Sequence, residues 1–174
     1  MRFEFFMIPA AVVAVSAAHA ENFLTVEEAQ KSLFPGAAFT PADFSLTSAQ
    51  VAQLIDTTQT TVFHSKVKAW RVSGSRWFFI DQVVGRDDRV TYAVGLDEHG
   101  ALTGIEILVC LPGYGKVREA RWREQFHGRK YGDPGDLMGQ IANISGETLT
   151  ASHVTEGVKR ILATYALFMA PGAK

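Results

Sequence analysis

The sequence predicts an α+β domain in which an antiparallel sheet of about four strands is flanked by helices. Two short helical patterns come first, four strand-like runs follow, and two further helical patterns end the chain. Successive strands joined by short turns pair as antiparallel hairpins, because a parallel crossover needs a dozen or more residues. Helices, then strands, then helices again are typical of the α+β class.

Capping boxes predict the two N-terminal helices. Thr25 is followed three residues later by Glu28, and we expect the helix that starts there to end near Phe34. Thr47 and Gln50 repeat the pattern and predict a second short helix. Both helices are expected to pack on the sheet.

Runs rich in Val, Ile, Trp, Phe and Tyr predict the sheet. Polar or glycine-containing segments of turn composition separate these runs, so a meander of hairpins is expected. The predicted strands are Val67–Ser73, Arg76–Val84, Val90–Leu96 and Leu102–Val109.

Two C-terminal helices are predicted, over Val117–Phe126 and over Ser152–Met169. The second has apolar residues at helical spacing and therefore one core face. Gly157 interrupts it at a cost of about 1 kcal/mol relative to alanine. Close approach of a neighbouring strand or of a bound cofactor would account for that glycine.

The N-terminus has the pattern of a secretory signal. Arg2 supplies a positive charge, Phe5–Ala17 is a short apolar run, and Ala18–Ala20 has the A-x-A form of a cleavage site. We expect cleavage after Ala20, export to the periplasm or beyond, and a single domain over residues 21–174. An uncleaved N-terminal anchor is the alternative. No second run is long enough to span a membrane.

Composition excludes several classes of function. The net charge of −1 favours no nucleic-acid partner. Cys110 is the only cysteine, so neither an intramolecular disulfide nor a Cys-x-x-Cys-His haem site is possible, and we expect its thiol to be buried. The histidines of the exported part are isolated in sequence, so the sequence predicts no metal site.

The segment Ser145–Thr150 is the strongest candidate for a binding site. It reads Ser-Gly-Glu-Thr-Leu-Thr and lies directly before the last predicted helix. The free N–H groups and the dipole of a helix N-terminus favour an anion, and a glycine lets the backbone approach it closely. A phosphate site is one interpretation. An ordinary cap by a serine or threonine hydroxyl is the other.

The run Asn143–Arg160 resembles the signature of the FMN-binding domain family, whose motif reads roughly Asp-x-x-Ser/Thr-Gly-Ala-Thr-x-Ser/Thr. That family includes the C subunit of the sodium-pumping NADH:quinone oxidoreductase and the G subunit of the Rnf electron-transfer complex. The resemblance covers most of the chain from about Trp70 onward. Its upstream segments are Tyr92–Asp97, Gly104–Ile107, Gly113–Gly115 and Trp122–Phe126.

The resemblance implies that Thr148 carries FMN through a phosphoester, attached outside the cytoplasm by a flavin transferase. It also implies a set of residues that line the phosphate end of the site. These are Ser145, Gly146, Glu147, Leu149 and Thr150.

Two positions depart from the family motif. Glu147 replaces its alanine, and Ala142 occupies the place of its aspartate. A carboxylate about 4 Å from an incoming phosphate opposes it by about 1 kcal/mol in water and about 4 at a protein surface. If Glu147 pointed to solvent instead, the chemistry at Thr148 would be unaffected.

The segment Gly113-Tyr114-Gly115 matches a glycine turn that helps to form the flavin pocket in the family. Tyr114 could pack on the isoalloxazine ring, because aromatic side chains favour offset stacking. The alternative is an ordinary turn with a half-buried tyrosine.

Charged residues elsewhere have plainer interpretations. The basic stretch from Lys116 to Lys130 could face a partner or the phosphate, but it is also typical of the solvated face of a helix. Lys159 and Arg160 could neutralise the phosphate or be surface charges. Asp81 and Glu106 are lone carboxylates on predicted strands, and we assign them no acid–base role.

These inferences predict an exported FMN-binding flavoprotein of electron transfer. The expected partners are a flavin transferase and a membrane or periplasmic redox protein. A flavin carrier needs the protein mainly to position the flavin and to tune its electronics. The alternatives are a flavin-dependent reductase of a small substrate and a flavin-free binding module of the same fold.

Overall fold

The fold is an antiparallel sheet with helices on both faces, and the predicted α+β class is confirmed. The structure, a computed structural model, describes residues 21–87 and 89–173. The predicted signal segment, residues 1–20, lies outside the described residues. No helix among the described residues is long and apolar enough to cross a membrane.

The part of the chain that the structure describes forms a seven-stranded sheet in the order β1-β7-β6-β5-β4-β2, in which β3 also pairs with β4. All pairings are antiparallel. The four long strands β4 to β7 are the predicted meander, with ends within one residue of those expected. The strands are β1 Glu21–Asn22, β2 Phe39–Pro41, β3 Phe44–Ser45, β4 Lys66–Val72, β5 Arg76–Val84, β6 Arg89–Leu96 and β7 Leu102–Cys110.

Five α-helices among the described residues pack around the sheet. Both predicted capping boxes are present: Thr25 caps α1 and Thr47 caps α2 through reciprocal bonds with the third helical residue. The helices are α1 Val26–Leu33, α2 Ser48–Thr58, α3 Ala120–Arg123, α4 Leu137–Gln140 and α5 Thr148–Phe168.

The prediction of one continuous helix over Val117–Phe126 is wrong. The chain forms a 3-10 helix over Pro112–Arg118, passes through extended backbone at Glu119, and continues as α3 and a second 3-10 turn. Val117 and Trp122 are both buried although they are five residues apart. A continuous helix would set them about 140° apart around its axis, and the break at Glu119 lets both side chains face the core.

The last helix begins four residues earlier than predicted, at Thr148 rather than Ser152. Ala151 and Thr150 are buried, so the inward face extends one turn beyond the apolar residues that marked the helix in the sequence. As a result, most of the candidate segment belongs to the helix or its cap rather than to a preceding loop.

The core lies on both faces of the sheet. The larger cluster packs α5 and the 112–126 segment against one face, and the smaller cluster packs α1 against the other. Phe78 and Phe79 place one ring in each cluster, as alternation along a strand requires. Cys110 is buried, as expected.

A buried polar network joins α5 to the sheet. The Tyr92 hydroxyl donates to Asp81 Oδ2 at 2.8 Å, and Arg160 Nη2 donates to the same oxygen at 2.5 Å. Gly157 lies over Tyr92, and a Cβ at this position would overlap the Tyr92 Oη. The glycine therefore permits close approach of a strand side chain, one of the two reasons expected. Arg160 is 7% exposed, so its interpretation as a surface charge is wrong.

Candidate functional site

The candidate site is the N-terminus of α5 and the loop that leads into it. Gly146 has φ +86°, a conformation that side-chain-bearing residues rarely adopt. It allows the chain to turn sharply from the exposed Ser145 into Glu147, which is the N-cap residue of α5. The N-terminal end of this 21-residue helix therefore lies at the surface, with its first N–H groups directed at this turn.

No hydrogen bond from the N-cap side chain closes this helix end. Glu147 makes no capping bond to α5. Its carboxylate instead accepts bonds from the backbone N–H of Lys116, 3.1 Å from both oxygens, and of Val117 at 3.3 Å. The interpretation of segment 145–150 as an ordinary side-chain cap therefore fails. The first N–H groups of α5 keep their capacity to bind an anion.

Glu147 adopts neither orientation considered from the sequence. It is 6% exposed, so it does not point to solvent, and its oxygens are held by the 3-10 helix rather than by the groups around Thr148. Backbone N–H donors stabilise a carboxylate charge through charge-assisted hydrogen bonds. Glu147 also lines the cleft beside Thr148, so the repulsion expected from the sequence is not removed.

The hydroxyl groups of the segment have distinct environments. Thr148 is exposed, and its Oγ1 donates to the carbonyl of Ile144 at 3.1 Å. Thr150 is 1% exposed, and its Oγ1 has no hydrogen-bond partner among the described residues. Leu149 between them is 47% exposed.

A surface cleft of about 280 Å³ opens at this helix end. Its lining consists of residues 146–150 and Arg86. Arg86 belongs to the hairpin loop between β5 and β6, and its side chain is 64% exposed. Sequence reasoning missed this arginine, because only the register of the sheet brings the hairpin beside α5. The turn composition around Arg86 predicted a hairpin but did not indicate which element the hairpin lies beside.

The structure brings the second predicted segment, Gly113–Gly115, close to the first. Both glycines lie in the 3-10 helix Pro112–Arg118, whose Lys116 also donates from Nζ to the carbonyl of Ser145 at 3.0 Å. An added Cβ on Gly146 would lie 4.0 Å from the same Nζ. The side chain of Tyr114 lies outside the described residues, so its stacking role stays a prediction.

Further contacts fix the loop before α5. The indole Nε1 of Trp122 donates to the carbonyl of Ala142 at 2.9 Å, and the N–H of Ala142 donates to Gln125 Oε1 at 2.8 Å. Asn143 donates from Nδ2 to Ser152 Oγ at 3.3 Å. Ala142, which replaces the family's aspartate, is thus held by its backbone alone. These hydrogen bonds tie the loop before α5 to the 112–126 segment and to α5 itself.

The other charged candidates lie away from the cleft lining. Lys159 pairs with Asp136 at 3.1 Å, and Arg160 pairs with Asp81 in the core. Within the basic stretch, Arg123 is largely buried and pairs with Glu106 at 2.6 Å, so that stretch is not simply a solvated face. Neither carboxylate is isolated in space, although each was alone in the sequence.

Metal ligands do not converge on this site. Within residues 21–87 and 89–173 no group of three or more His, Cys, Asp or Glu side chains could hold a metal ion. The donors at the helix end are N–H groups, hydroxyls, an ammonium and a guanidinium, which suit an anion rather than a cation.

Comparison with known proteins adds no relative: no protein-family model matches the chain, and no curated protein matches it.

Proposed function

We propose that this protein is an exported flavoprotein of electron transfer that binds one FMN, with the FMN phosphate at the N-terminus of α5. The proposal joins the family resemblance of segment 143–160 to the geometry of the helix end. Bound flavin supplies the redox chemistry, and the protein positions it.

One observation carries the proposal: a long helix begins at the surface without a side-chain cap, above a buried hydroxyl that lacks a partner. The N-cap Glu147 is turned toward Lys116 and Val117, and Thr150 Oγ1 is unsatisfied among the described residues. Buried polar groups are normally hydrogen-bonded, and leaving one unpaired costs about 1–3 kcal/mol. A phosphate oxygen at the cleft would accept from this hydroxyl and from the helix N–H groups together.

Thr148 is the residue that the proposal makes the attachment point. Its hydroxyl is exposed, whereas that of Thr150 is buried, so a transferase can reach only the former. Phosphoester formation there joins Thr148 Oγ1 to phosphorus, while the threonine proton is lost and AMP leaves the FAD donor. In the free protein the Thr148 hydroxyl donates to the Ile144 carbonyl, a bond that attachment would break because the hydroxyl proton is lost.

The same site suits a carrier that meets other proteins. Leu149 is 47% exposed beside Thr148, and Ser145 and Gly146 are exposed as well. Exposed groups around the attachment point give access to a flavin transferase during maturation and then to a membrane or periplasmic redox partner. Cleavage after Ala20 and export belong to the proposal, because flavin transfer of this kind takes place outside the cytoplasm.

Intact-mass measurement tests the attachment. The chain is expressed with its signal in a host that exports a flavin transferase, and the purified product is weighed. We expect one added FMN, lost in Thr148→Val, which keeps the shape of the side chain without its hydroxyl. Thr57→Val, the same change at an exposed threonine of α2 that does not line the cleft, is the control and should retain the added mass. A product that releases FMN on denaturation but gains no mass would refute attachment, while a colourless product would refute flavin binding.

A further inference from the structure

The hairpin between β5 and β6 carries an arginine that faces the N-terminus of α5. Among the described residues, Arg86 is the one that lines the cleft from outside segment 146–150. We propose that Arg86 binds the FMN phosphate across the cleft and makes the site selective for flavins that carry a phosphate over those that lack one. This inference rests on the proposed function, in which the phosphate end of FMN lies at the N-terminus of α5.

The guanidinium of Arg86 is available for a ligand. Its side chain is 64% exposed, and within the described residues its ion pair is a loose one, with 3.9 Å between Nε and Asp87 Oδ2. That distance exceeds a hydrogen bond. The planar fork of arginine matches two phosphate oxygens at once, which a lysine ammonium does not.

A contact with α5 holds the hairpin beside the site. His153, in the second turn of α5, contacts the carbonyl of Val84 through Nδ1 at 2.5 Å. Val84 is the last residue of β5 and precedes Arg86 by two positions. The helix that supplies the N–H groups therefore also anchors the loop that supplies the arginine. Arg86 is held near the cleft by this contact, although its side chain is exposed.

Apart from the carboxylate of Glu147, the polar groups around the cleft are complementary to a phosphate. On one side of the cleft lie the N–H groups of the first turn of α5 and the hydroxyl of Thr150. Thr150 is 1% exposed, and its Oγ1 has no hydrogen-bond partner among the described residues. On the other side lies Arg86, and Lys116 Nζ is near Gly146. The unpaired hydroxyl distinguishes this helix end from one that solvent alone satisfies.

Binding affinities for FMN and for riboflavin, which lacks the phosphate, test the proposal. The chain of residues 21–174, produced without a flavin transferase, is titrated with each flavin, and the two dissociation constants are compared in the wild type and in Arg86→Gln. We expect Arg86→Gln to weaken FMN binding by about tenfold, the loss of a charge-assisted hydrogen bond, and to leave riboflavin binding unchanged. Arg89→Gln, which removes the same charge three residues away and outside the cleft lining, should leave both constants unchanged.

A titration with inorganic phosphate, monitored through the amide chemical shifts of residues 146–150, separates a failure of this inference from a failure of the flavin function. If the wild type prefers FMN to riboflavin and Arg86→Gln keeps that preference, the role of Arg86 is refuted while flavin binding stands. If neither flavin binds but phosphate does, and Arg86→Gln weakens it, the arginine site stands without the flavin. If phosphate does not bind either, both proposals fail. An unchanged unfolding midpoint in Arg86→Gln excludes a folding defect.

Discussion

Replacing Gly157 by alanine sets two physical effects against each other. Gly157 lies in the interior of α5, where alanine is favoured over glycine by about 1 kcal/mol. The added Cβ would overlap the Tyr92 Oη and lie 2.9 Å from its Cζ and 3.0 Å from Val83 Cγ1. Tyr92 is fully buried and cannot move away without leaving Asp81.

The packing effect is expected to exceed the helix effect. Forcing an extra carbon into a well-packed core costs about 2 kcal/mol. Weakening the buried hydrogen bond from Tyr92 to Asp81 adds about 1 kcal/mol. After the gain in helix propensity of about 1 kcal/mol, Gly157→Ala should lower the free energy of unfolding by about 2 kcal/mol.

Urea unfolding followed by tryptophan fluorescence measures this change. Gly139→Ala is the matched control, because Gly139 is also helical and a Cβ there would meet nothing within 4 Å. The control should be neutral or stabilised. In a Tyr92→Phe background the cost of Gly157→Ala should shrink, because the overlapping oxygen is gone. A Gly157→Ala variant more stable than the wild type by about 1 kcal/mol would refute the packing argument and leave propensity as the controlling effect.

Two further predictions concern buried hydroxyls. Burial, and then the charge of Asp81, raise the pKa of Tyr92 well above its ordinary value of 10.0. The unfolded chain therefore loses this proton first, so stability is full below about pH 10 and falls as the pH rises above it. Unfolding curves between pH 8 and 11 should show a smaller decline in Tyr92→Phe than in the wild type, and equal slopes would contradict the assignment. Thr150→Val should leave the free energy of unfolding unchanged or raise it by about 1 kcal/mol, because the hydroxyl it removes is unpaired. The same variant should weaken FMN binding, and a large loss of stability in urea unfolding would show that the hydroxyl is satisfied in the free protein.

The sheet could be predicted from the sequence because its signals are local. Alternating β-rich runs and turn compositions gave β4 to β7, and capping boxes gave α1 and α2. The short strands β1, β2 and β3 could not be predicted in this way. They contain two or three residues each, and their pairing depends on β4 and β7 rather than on their own pattern.

The candidate site was only partly predictable for the same reason. Segment 145–150 is contiguous, so its composition pointed to a helix start. The position of Glu147 depends on contacts with Lys116 and Val117 about thirty residues away, as the sequence separations of 31 and 30 show. Arg86 is brought to the cleft by the register of β5 and the contact from His153. Long-range contacts of this kind leave no mark in a single sequence.

The central claim is that the N-terminus of α5 holds the FMN phosphate, and amide chemical-shift mapping tests it most directly. The mature chain labelled with ¹⁵N is titrated with FMN and, in parallel, with riboflavin. We expect FMN to shift the amides of Thr148, Leu149 and Thr150 most, and riboflavin to leave these three unchanged. FMN-dependent shifts confined to another part of the fold, or equal shifts at α5 with both flavins, would contradict the claim.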